Sequence, residues 1–191
     1  MSSSVSNSNR TKTTASPLLE RKIQETAAGL IYCYTKRLLS ISNEDNTATI
    51  VNYISAMKIE INLSDHYRKD LIELLTRFSK FNNDRNFKDI THSDIIAFLD
   101  TYRKTETADP LHKWIGTYNI FTTHIIRFFR WLYHPEIEPK KRPKPPVVEN
   151  IADVPYAKRR GINYIPLLPM ISMNLLSGPN TIVSTLSVPV F

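Results

Sequence analysis

Ten of the twelve prolines in this 191-residue chain follow Tyr133, and only Pro17 and Pro110 precede it. Proline lacks a backbone donor and clashes with the preceding helical turn, so the chain divides into a part free to be helical and a part that is not. Four glycines are too few for a β-rich fold built on tight turns. Hydrophobic residues make up 41% of the chain, enough for a packed core. The expected fold is all-α, a small orthogonal helical bundle with a disordered N-terminal lead and an irregular C-terminal tail.

Five helical segments are legible before Pro135. Between Leu18 and Leu39, apolar residues at Leu19, Ile23, Ala27, Leu30, Ile31, Tyr34 and Leu38 recur at helical spacing, which Gly29 weakens. A loop is expected over Ser40–Asn46. Ile50, Val51, Ile54 and Met57 then mark one side of a second helix of about three turns. Ser64 stands at an N-cap position with Asp65 in the first turn, and Tyr67, Leu71, Leu74, Leu75 and Phe78 form the stripe of the third. Thr91 and Asp94 make a capping-box pair, with Ile90 and Ile95 at the staple positions of the fourth. Asp109-Pro110 marks a turn. From about Gly116 to Tyr133, Tyr118, Phe121, Ile125, Phe128 and Leu132, preceded by Trp114, form a 4-3-4-3-4 core stripe. Tyr67, Trp114, Phe128 and Trp131 are expected in the core.

Net charge is +7, and its distribution says more than its size. Residues 41–110 carry 9 basic against 12 acidic side chains, so the cationic excess lies toward the two ends. That suits a polyanion gripped by part of the surface, and a basic solvated tail explains it as well. The single cysteine, Cys33, excludes an internal disulfide or cysteine-based zinc site and fits a reducing, cytoplasmic setting. The five histidines are scattered and no glycine-rich phosphate loop exists, so no metal, cofactor or small-molecule substrate is expected. The Ser/Thr/Asn-rich start has no apolar core of a secretory signal. Residues 161–191 carry no charge, but prolines at 166, 169, 179 and 189 leave no interval long enough to span a bilayer.

The segments NLSDHYRKDLIELLTRFSKF, ITHSDIIAFLDTYRK and WIGTYNIFTTHIIRFFRWLY, in that order, resemble the core-binding domain of tyrosine recombinases of the phage-integrase type. DPLHKWIGTYN, RFFRWLY and the following EPKKRPKP are similar to archaeal integrases in particular. The resemblance covers about half the chain. It implies a SAM-like helical domain forming one half of a clamp on duplex DNA, followed by an extended basic linker and a catalytic domain. The chain is then expected to divide into a lead (1–16), a helical extension (17–46), a core-binding domain (47–134), a basic proline-rich linker (135–160) and an uncharged, unstructured tail (161–191). Family catalysis uses arginines, a lysine, histidines and a tyrosine that attacks a phosphodiester. Those lie in the catalytic domain, which needs far more chain than the 45 residues after Pro146. The expectation is a truncated recombinase, located with the nucleoid, that takes part in DNA integration and recombination by binding rather than cutting.

Implied partners are double-stranded DNA and full-length recombinase subunits. The alternative is a helical protein-interaction module that modulates assembly of full-length integrase. Expected DNA contacts are Lys113, Thr117, Asn119, Thr122, Thr123, Arg127 and Arg130 on the last helix, and Lys140, Lys141, Arg142 and Lys144 in the linker. A solvated helix face is an equal explanation for Arg127 and Arg130, and a stronger one for Asn119, Thr122 and Thr123. The linker cations, among prolines, are given no packing role. His124 and Arg127 share the spacing of the family's His-x-x-Arg motif. They stand inside a helix ahead of the linker, with Tyr133 on the same helix, and are expected to be non-catalytic.

Overall fold

The computed structural model describes residues 16–154, and these are all-helical: six α-helices, two short 3₁₀ turns and no strand. The helices are α1 (Pro17–Ala27), α2 (Tyr32–Leu39), α3 (Glu44–Ile61), α4 (Asp65–Phe81), α5 (His92–Asp100) and α6 (Trp114–Tyr133). The 3₁₀ turns are Phe87–Asp89 and Pro146–Val148. The expected uncharged tail, nearly all of the lead and the last part of the linker lie outside the described residues.

Where one weakened helix was expected over residues 18–39, two form. Gly29 adopts φ +77°, a left-handed conformation that turns the chain, and Leu30 N–H closes the turn on the Ala27 carbonyl at 2.9 Å. Arg68 of α4 donates to the carbonyls of Thr26 and Ala28, at 3.2 and 2.8 Å, and satisfies the exposed end of α1. α1 packs on α2 and α3, and Leu19, Ile23 and Leu38 share one core with α3 to α6. The supposed extension is therefore part of the domain.

α3 begins earlier than expected and runs for 18 residues. Asn43 caps it by accepting from the amides of Asp45 and Asn46, and Asn62 ends it with φ +48°. Asn46, expected in a loop, is buried. Its amide nitrogen donates to Ser79 Oγ at 3.0 Å and to the Arg85 carbonyl at 2.9 Å, and its oxygen accepts from Phe87 N–H at 3.1 Å. One side chain thereby ties α3 to α4 and to the loop after it.

α4 and α5 start where their caps predict. Ser64 accepts from Tyr67 N–H at 3.3 Å. Thr91 and Asp94 form a reciprocal capping box, and Ile90 and Ile95 are both buried beside it. The two Thr91 hydrogen bonds hold the Asp94 carboxyl below its usual range. α6 starts at Trp114, whose amide donates to Asp109 Oδ2 at 2.9 Å. Its core face is wider than the expected stripe and includes Ile115 and Phe129 with Tyr118, Ile125 and Phe128. Tyr53 of α3, wholly buried, meets Phe128 and Trp131 with ring centroids 5.2 Å away in each case.

The described segment past this helix, residues 135–154, is not helical apart from one 3₁₀ turn, as its prolines require. It is not a free linker either. Val148 is 0% exposed and Ile151 4%, and the Pro146–Val148 turn packs on α5 and α6. Residues 135–154 form a strap folded back on the bundle.

Candidate nucleic-acid interface

A groove of about 1140 Å³ runs between the C-terminal half of α3, the exposed face of α6 and the strap. Six residues expected at DNA line it: Thr123, Arg127 and Arg130 from α6, and Lys140, Arg142 and Lys144 from the strap. Helical geometry accounts for the first set, because positions i, i+4 and i+7 share one face. Lys113, just ahead of α6, and Thr117 in its first turn are exposed but do not line the groove. Lys141 is exposed, pairs with Glu138 at 2.8 Å and does not line the groove.

Three expected contacts are engaged elsewhere. Thr122 is 0% exposed, one turn from Tyr118 and Ile125 on the core face, so it cannot reach a ligand. Asn119 is half-buried and bonds the backbone of Val154 through both ends of its amide, each at 2.9 Å. Arg142 is 4% exposed and holds the strap in place. It donates to both carboxylate oxygens of Glu60 and to the carbonyls of His134 (3.0 Å) and Pro135 (3.2 Å). The guanidinium fork suits such a bidentate bond. Contrary to expectation, this linker cation has a packing role.

The other cations stand differently. Arg127, Arg130, Lys140 and Lys144 have no carboxylate partner among the described residues. Arg130 donates to the Arg142 carbonyl, a second tie between the walls. Of the carboxylates that line the groove, Glu60 is matched by Arg142 and Glu138 by Lys141. Glu149 and Asp153 are unmatched among the described residues. Cations without an ionic partner therefore outnumber carboxylates without one by four to two.

Arg127 is aimed by two residues whose role periodicity did not disclose. Its Nη1 donates to the Tyr67 hydroxyl, 2.6 Å away, and the same hydroxyl lies 3.1 Å from His124 Nδ1. Burial, reinforced by the neighbouring Arg127 charge, lowers the His124 pKa to about 4. At neutral pH His124 is thus uncharged, and its imidazole shares a hydrogen bond with the Tyr67 hydroxyl that accepts from Arg127. Burial raises the Tyr67 pKa despite Arg127, so the phenol keeps its proton. The His-x-x-Arg spacing places both side chains on one tyrosine in a protonated, hydrogen-bonded state. Tyr133 is turned away, its hydroxyl 3.5 Å from the Lys88 carbonyl.

Among the described residues, no three potential metal-ligating side chains cluster, and no helix is long and apolar enough to cross a membrane. The chain matches no protein-family model, no curated protein and no solved structure.

Proposed function

We propose that this chain is a DNA-binding helical domain of the kind tyrosine recombinases use as a core-binding domain, and that it grips duplex backbone in the groove between α6 and the strap. One observation carries the reading. Four cations from two separate segments converge on one groove without carboxylate partners among the described residues. Leaving such charges together costs repulsion, which phosphates relieve by releasing counterions. α6 is a helix with one exposed polar face and a rigid apolar back, a shape that can lie along a groove of duplex DNA.

The chain's part in recombination is binding, not strand cleavage. Tyr67, the tyrosine nearest a histidine and an arginine, is held protonated, so it is a poor nucleophile. Duplex DNA and full-length recombinase subunits are the proposed partners, in a cytoplasmic, nucleoid-associated setting.

Titrating the full chain into labelled duplex at several salt concentrations tests this. Four neutralised phosphates predict a log–log slope of about −3 to −4. Replacing Arg127 and Arg130 with Ala should weaken binding more on a cognate site than on random duplex if either reaches a base edge. Absence of any shift with micromolar protein at about 50 mM salt would overturn the reading.

A further inference from the structure

Glu60 lines a cationic groove, and by charge alone it should oppose a polyanion there. We propose the reverse: Glu60 is a positioning residue for backbone binding, because it fixes the strap that carries Lys140 and Lys144. The inference rests on the DNA-binding reading above.

The geometry supports it at each step. Arg142 and Glu60 have side-chain exposures of 5% and 17%, so the pair is largely withdrawn from water and its charges cancel locally. Phosphate at the groove therefore meets little of the Glu60 charge. Arg142 has its remaining bonds to the carbonyls of His134 and Pro135, at the start of the strap. Glu60 is the only group that neutralises this guanidinium among the described residues. A guanidinium left buried and unpaired moves to solvent rather than staying charged in place. Lys140 and Lys144 flank Arg142 by two residues on either side, so their backbone would move with it. Both lysines are exposed and have no ion pair of their own among the described residues. Nothing but the strap backbone keeps them opposite Arg127.

The test is fluorescence anisotropy with a mixed-sequence labelled duplex and the full chain, run from about 50 to 200 mM salt. Glu60→Gln removes an anion, yet it should weaken binding about tenfold and make the salt slope shallower by about two, the share of Lys140 and Lys144. Glu60→Asp keeps the charge but shortens the reach. It should weaken binding in the same direction, which also covers the case in which Glu60→Gln does not fold. In a chain already carrying Lys140→Ala and Lys144→Ala, Glu60→Gln should cost little more, as expected for residues acting through one element. Unchanged or tighter binding by both Glu60 variants, with wild type bound, overturns the inference. So does a full additional loss on top of the double lysine variant. Failure of wild type to bind any duplex is a separate result, and it removes the DNA-binding reading itself.

Discussion

The two walls of the groove are held by different kinds of interaction. α6 turns Tyr118, Ile125, Phe128 and Phe129 into the core, and its position follows from apolar burial spread over five turns. The strap over residues 135–154 has few anchors: the Arg142–Glu60 pair, the Arg130 bond to the Arg142 carbonyl, the Asn119–Val154 bridge, the His92–Val147 contact, and Val148 and Ile151 as apolar plugs. Distributed burial makes one wall part of the global fold. Discrete anchors make the other able to loosen while the bundle stays folded.

The largest effect that tests this difference is on the α6 side. Phe128→Ala should cost about 3–5 kcal/mol, because it empties a site among Tyr53, Phe87 and Phe129. Chemical denaturation should show the whole bundle destabilised in one transition. A small loss confined to the strap would break the comparison.

Acid should act on the same wall. The His124 pKa lies near 4 in the fold against 6.5 in its absence, so the unfolded chain takes up a proton first as pH falls. Stability is complete above about 6.5 and declines as pH falls toward 4, by roughly 2–3 kcal/mol at the bottom of that window. His124→Gln should remove this decline, read as melting temperature against pH. An equal decline in the variant would place the acid sensitivity elsewhere.

On the strap side, Val148→Ala should cost about 1–2 kcal/mol. Its signature is local: trypsin should cut faster at Lys140 and Lys141 while the helical circular dichroism signal melts almost as before. If cutting rates do not change, the plug is not what holds the strap.

The smallest effect concerns the core between α3 and α6. The Tyr53 hydroxyl is buried without a hydrogen-bond partner, and burial pushes its pKa far up. Tyr53→Phe keeps the ring contacts and removes a stranded polar group, so stability should be unchanged or rise by up to about 1 kcal/mol. A loss would show that the hydroxyl has a partner, such as a bridging water.

How much of this was readable in the sequence follows the range of the interactions. Ser64, Thr91 and Asp94 act within three residues of their partners, and the starts of α4 and α5 were visible for that reason. The core stripe of α6 is equally local. The burial of Thr122 is local too, although its residue type suggests a surface position: it stands four residues after Tyr118 and three before Ile125, which puts it in the stripe. In the sequence Gly29 marks a weakness and not a break, because a positive φ depends on what receives the turn, here Arg68. The remaining features are non-local. Arg142 meets Glu60 across 82 residues, Asn119 meets Val154 across 35, and Tyr67 meets Arg127 across 60. No spacing in one segment carries such pairs, so in the sequence the basic proline-rich stretch reads as an extended, DNA-contacting linker without packing of its own.

Asn46 bears on how this fold excludes its near alternatives. Apolar helix faces tolerate sliding by a turn, since one set of leucines and isoleucines fills a partner's grooves nearly as well as another. The Asn46 amide does not, because Ser79, Arg85 and Phe87 match it in only one register of α3 against α4. A one-turn slip would break those bonds together and strand a polar side chain in the interior. Replacing Asn46 with Leu would then blur the choice between registers more than it lowers the stability of any one of them. In an ensemble measurement, the change would appear as multiple slowly exchanging resonances for α3 in place of a simple shift of the melting curve.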